Sequence, residues 1–78
     1  MVYQEYEITL SNGSIVHAVE ESKSMAEAGS LVINYADAKD NDLISLDDKF
    51  FGPTYVLKKN IVCIRLMDAK KVEEEGGN

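Results

Sequence analysis

The chain has few of the residues on which most site chemistry is built. It carries one cysteine, Cys63, so it cannot close an internal disulfide, and it has no Cys or His cluster that could hold zinc. Its one histidine, His17, is the only side chain whose ordinary pKa lies near neutrality. None of its five glycines, at 13, 29, 52, 76 and 77, has the spacing of a phosphate-binding loop. No apolar run is long: the longest, Ile61 to Ile64, falls far short of the roughly 20 residues needed to span a bilayer. Bases are scarce too, eight against fourteen acids for a net charge of −6. That balance argues against direct nucleic-acid binding, which relies on Lys and Arg against phosphate, and against an anionic membrane surface.

What is present describes a folded domain. The 45% hydrophobic and 28% charged composition lies outside the range of disordered chains. At 78 residues the core must be thin, so a homo-oligomer is the default expectation. A single cysteine, with strand-like sequence directly after Met1 and no basic leader, leads us to expect a cytoplasmic protein. One domain is expected over residues 1–69. Residues 70–78 read as an acidic, glycine-ending tail that starts with a helical turn and ends disordered.

From Tyr6 the first segment alternates, with Tyr6, Ile8 and Leu10 on one side and Glu5, Glu7 and Thr9 on the other, which is a strand with one buried face. Asn12-Gly13 signals a hairpin, and Ile15–Glu20 returns as a second strand. A two-residue turn pairs Leu10 with Ile15 and Ile8 with His17, so Ile15, His17 and Val19 face the core. A three-residue loop with a bulge shifts every partner by one, turning Val16 and Ala18 inward and His17 outward. The two-residue turn is the expectation, because it matches Tyr6, Ile8 and Leu10 with Ile15 and Val19.

Ser24 and Glu27 fit a capping box, and Met25, Ala28, Leu31, Val32 and Tyr35 keep helical spacing after it. Glu27, Ser30, Asn34 and Asp37 make one narrow polar stripe, which predicts a helix covered on more than its sheet-facing side. The competing reading makes L-V-I-N-Y a strand. Leu43–Leu46, Thr54–Leu57 and Ile61–Met67 read as three further strands, with Gly52-Pro53 as a breaker. The expected fold is α+β: a small, bent, five-stranded antiparallel sheet in the order ββαβββ with one packed helix. An open small barrel of SH3-like or Sm-like kind is the alternative. The stretch I-T-L-S-N-G-S-I-V-H-A-V-E-E-S followed by a short helix resembles the end of the small flagellar proteins called FlbD. The resemblance covers only that part of the chain, and the remaining strands lie on the wrong side of it.

No catalytic constellation emerges. His17 has no local nucleophile or second ligand, and Cys63 in its apolar run reads as an inert buried thiol. The aspartates of 37–48 miss the calcium-loop template, since Lys39 and Asp42 fall where its third and sixth positions need an acid or Asn and a Gly. We therefore expect no enzyme, no metal and no cofactor. In the favoured register Glu20 lies across from Glu5, and Tyr3, Glu5, Glu7, Glu20 and Glu21 form an acidic sheet face that docks a basic protein partner; the competing reading has Arg65 or Lys58, on another strand, neutralise these acids. A regulator, adaptor or inhibitor would fit. The alternatives are an oligomer with an inter-subunit ligand pocket lined by Tyr35 and Tyr55, and a small-barrel RNA binder using Lys58, Lys59 and Arg65.

Overall fold

In the computed structural model, which describes residues 1–24 and 29–71, the alternation of the first segment becomes strand β1 (Val2–Leu10). Val2, Gln4, Tyr6 and Ile8 are buried, and Tyr3, Glu5, Glu7 and Thr9 are half-buried on the opposite face. Strand β2 (Ile15–Ser22) returns antiparallel. The turn between them is the three-residue one. Leu10 N–H donates to the Ser14 carbonyl at 2.8 Å, Gly13 N–H donates to the Leu10 carbonyl at 2.9 Å, and the Asn12 side chain accepts the Ser14 N–H at 2.9 Å.

The expected two-residue turn is thereby corrected, and the backbone supplies the reason. A type I′ turn needs positive φ at both central residues, whereas among the described residues only Gly13, Gly29 and Gly52 have it. Asn12 stays at negative φ, and Gly13 alone, at φ +89°, takes the left-handed position that follows a type I turn. Ile8 consequently pairs with Val16, Glu7 with His17, Tyr6 with Ala18 and Gln4 with Glu20. Val16 and Ala18 line the core, and His17 lies on the outer face.

The other elements are helix α1 (Ser30–Asp37), strands β3 (Leu43–Asp48) and β4 (Gly52–Leu57), a 3-10 turn (Lys58–Asn60) and strand β5 (Ile61–Lys71). The L-V-I-N-Y stretch is therefore helical. Of the expected capping box, Glu27 lies outside the described residues, as do Met25 and Ala28 of the helical pattern. The domain is mostly strand, with sheet order β4-β3-β2-β1-β5 and all pairings antiparallel. Strands β4 and β5 remain edges, so the sheet does not close into a barrel. Strand β5 runs on to Lys71, where the sequence suggested a helical turn, because β1 pairs with it to the end: Tyr3 opposite Lys70 and Val2 opposite Lys71. Two register shifts leave Val62 and Met67 as the extra residues of bulges in β5.

Helix α1 covers the inner face near β3 and leaves Leu66 and Ala69 of β5 exposed. Leu31 is buried, and Tyr35 and Ala38 pack partly against a cluster of Tyr6, Ile8, Val16, Ala18, Ile44, Leu46 and Ile61. At eight residues this helix is too short to be stable alone in water, so tertiary contacts must hold it. Val32 and Ile33 stay exposed, leaving an apolar stripe of the helix uncovered.

Candidate functional site

Pairing across β2, β1 and β5 arranges the outer face in rows. Glu21, Tyr3 and Lys70 form one, Val19, Glu5 and Asp68 the next, and His17, Glu7 and Arg65 a third. Ile15, Thr9 and Cys63 follow. Of the expected acidic face, Tyr3, Glu5, Glu7 and Glu21 are therefore together. They are interleaved with bases. Lys49 Nζ, reaching from the β3–β4 turn, bonds Glu5 at 2.8 Å, and Arg65 meets Glu7 at 3.6 Å. The Lys49 ammonium on Glu5 holds that carboxyl below its ordinary pKa of 4.5, and the same contact raises Lys49 above 10.5. Lys70 Nζ stands 6.0 Å from the centre of the Tyr3 ring. Of the acids on this outer face, only the exposed Glu21 has no ion-pair partner among the described residues.

Glu20 is not part of this face. The one-residue shift in register places it on the inner side, opposite Gln4. Its carboxylate accepts the Gly29 N–H at 3.2 Å, the Leu31 N–H at 2.9 Å and the Ser30 hydroxyl. It closes the N-terminus of α1, where the helix dipole favours a negative charge. Gln4 Oε1 accepts both the Gly29 N–H and the Tyr6 hydroxyl at 3.2 Å. Burial, with the Glu20 carboxylate adding to it, pushes the Tyr6 phenol above its ordinary value of 10.0. At the other end of the helix Lys58 Nζ donates to the Ala38 carbonyl at 2.7 Å and lies 4.8 Å from the Tyr35 ring centre. Two charges of opposite sign, Glu20 from β2 and Lys58 from the 3-10 turn, thus pin the ends of one short helix.

The β3–β4 turn is organised by Asp48. This buried carboxylate accepts the backbone N–H of His17 at 2.9 Å, of Phe50 at 2.8 Å and of Phe51 at 2.9 Å. Burial acts to raise its pKa, but the three N–H groups outweigh that and hold it below 3.8. Gly52, at φ +81°, completes the turn. Phe50 and Phe51 then project from a fixed backbone, 68% and 87% exposed. The Phe50 ring meets the His17 imidazole edge-on, with centroids 5.4 Å apart. His17 therefore sits on the outer face beside an aromatic ring, not in the core where the two-residue turn would put it.

Several sequence expectations change with this geometry. Cys63 is exposed rather than buried, because β5 is an edge strand whose outer face none of the described residues covers. Lys58 bonds the carbonyl at the end of the helix, and Arg65, with most of its side chain exposed, meets Glu7. A cavity of about 420 Å³ lies between α1 and β3 within the chain, lined by Leu31, Asn34, Ala38, Asp42, Leu43, Ile44 and Ser45. The role of Asp48 was missed, although an aspartate just before Lys-Phe-Phe-Gly is a recognisable signal for a side chain that bonds backbone N–H groups two and three positions on. Glu20 and Lys58 carried no local signal of their helix-end roles, since each acts on residues distant in sequence. Comparison with protein-family models, with curated proteins and with solved structures finds no significant match to this chain.

Proposed function

We propose that this chain is a small cytosolic, non-catalytic protein-interaction module, a regulator, adaptor or inhibitor that docks a basic protein partner on its outer sheet face. The observation that supports it is the pair Phe50 and Phe51, largely exposed on a turn whose backbone is held by a buried carboxylate. Large aromatic side chains on a preorganised backbone are what interface anchors require, since little freedom is lost on binding. A domain this small that leaves both rings in water has an apolar patch suited to a partner.

The acidic-face idea survives in altered form. Tyr3, Glu5, Glu7 and Glu21 would supply a mixed, polar rim, with Glu5 and Glu7 already neutralised and Glu20 committed to the helix. The net charge of −6 still favours a basic partner, through steering of the encounter more than through individual ion pairs. The non-catalytic reading follows from how the polar groups are used: Asp48 accepts three backbone N–H groups, and the His17 ring faces phenylalanine. The single cysteine supports a reducing compartment, and no helix among the described residues is long and apolar enough to cross a membrane.

The test is affinity capture from the native cell with wild type, F50S/F51S and E21K. The double serine variant should lose the partner while keeping its fold. Wild type should keep it at about 1 M salt, where screening limits charge effects to about 3 Å. Binding by F50S/F51S equal to wild type would remove the anchors, and complete release at high salt would return the docking to charge alone.

A further inference from the structure

Strand β5 offers an open edge of eleven residues, longer than the six of β4, and only β4 carries a proline, Pro53. Proline within a strand is a usual device for protecting an edge from added strands; the middle of β5 has none and is apolar, with Val62, Leu66 and Met67 all more than half exposed. An unpaired ladder edge with apolar side chains invites another strand.

We propose that β5 pairs antiparallel with β5 of a second copy, giving a closed two-fold dimer with a continuous ten-stranded sheet. Charge and facing select the register. Cys63, Arg65, Asp68 and Lys70 share the outer face of β5, and Ile64, Leu66 and Ala69 the inner face, because the Met67 bulge shifts the alternation by one. Setting Arg65 opposite Asp68 of the second copy therefore keeps faces matched, with Ile64 opposite Ala69 and Cys63 opposite Lys70. By symmetry each of these pairs occurs twice, and Leu66 meets Met67 at the centre. A register centred on one residue, such as Leu66 opposite Leu66, would set the inner Ile64 against the outer Asp68 on both sides of the axis.

The monomer shows why the pairing is favourable. Asp68 lies directly opposite Glu5 on β1, a like-charge pair across the ladder, and its own base, Lys70, stands 3.8 Å away. Arg65 contacts Glu7 at 3.6 Å with most of its side chain exposed. An Arg65 from the second copy supplies the opposite charge that Asp68 lacks at hydrogen-bonding distance. Pairing β4 to β5 between copies would leave a free β4 at one end and a free β5 at the other, so it would propagate; the β5–β5 contact is isologous and leaves only the proline-bearing β4 edges.

The experiment is a concentration series by light scattering and sedimentation on the full chain, with wild type, R65D, D68R and R65D/D68R, and with circular dichroism to confirm folding. Wild type should dimerise reversibly. Each single reversal sets like charges opposite in two places and should raise the dissociation constant by about tenfold or more, and the double reversal should restore it. Amide exchange on β5 should slow as wild-type concentration rises. A wild-type monomer at every concentration, or a dimer indifferent to both single reversals, would overturn the proposal. Neither outcome bears on the Phe50–Phe51 anchors, which lie at the other side of the sheet from the β5 edge.

Discussion

Replacing Glu20 with alanine tests the hairpin register and the anchoring of the helix together. In the observed register its carboxylate accepts the Gly29 and Leu31 N–H groups and the Ser30 hydroxyl. Loss of a helix N-terminal cap costs about 0.5–2 kcal/mol. Loss of the charge at the positive end of the dipole adds about 0.3–1 kcal/mol. E20A should therefore cost about 2 kcal/mol, and E20Q, which keeps an acceptor and loses the charge, about 1 kcal/mol. At about 4–8 °C per kcal/mol for a domain of this size, E20A should lower Tm by about 8–16 °C. That matters here, because about 0.05–0.15 kcal/mol per residue gives the whole domain only about 4–12 kcal/mol. Urea and thermal melts followed by circular dichroism give the number, with E21A as the control. Glu21 is exposed on the outer face, so its removal should change stability by less than about 0.5 kcal/mol. If E20A and E21A melt together, Glu20 does not close the helix and the register argument fails with it.

Other expectations follow from the same geometry. Ile8 is fully buried at the centre of the core, so I8A should cost about 2–5 kcal/mol and leave little cooperative unfolding, whereas I8V should cost about 1 kcal/mol, both read from urea melts. Gly13 at φ +89° has open space around an added Cβ, so G13A carries a backbone penalty alone, about 1–2 kcal/mol; a neutral result would return the hairpin to another turn. Asp48 and Glu5 both have folded pKa values below their ordinary 3.8 and 4.5, so the stability they contribute is fully present above about pH 4.5 and is lost as pH falls through the lower folded values. Acid melts of wild type should show that decline, and those of D48N, destabilised from the start, a shallower one. Cys63 should react with a thiol reagent in the folded protein at nearly the rate found in urea; strong protection in the folded monomer would contradict its exposed position.

Much of the fold was legible in the residues alone. Alternation from Tyr6 to Leu10, the Asn-Gly turn and the helical spacing of Leu31 and Tyr35 mark the hairpin and the helix, because each is a local signal read over a few neighbours; Gly52-Pro53, expected to break the chain, instead opens β4, where Pro53 pairs with Asp47. Register was not legible, since both offsets bury a plausible row, Ile15 and Val19 or Val16 and Ala18. A single backbone angle at Asn12 chose between them. That choice then decided whether Glu20 was a surface charge or the cap of a helix nine to eleven residues away. It also decided whether His17 faced the core or Phe50.

The same division holds for the candidate site. The list of residues on the outer face was almost right from the sequence, yet its charge was not. Arg65, the base the sequence offered, reaches Glu7 from β5, whereas Lys49, which it did not, reaches Glu5 from the β3–β4 turn; pairing of that kind depends on which elements become neighbours. The chain by itself determines which side chains alternate and where the backbone can turn, because those depend on steric preferences of adjacent residues. Which charges meet, and which aromatic rings are left in water, depends on strand order and register, and only the packed tertiary structure sets them.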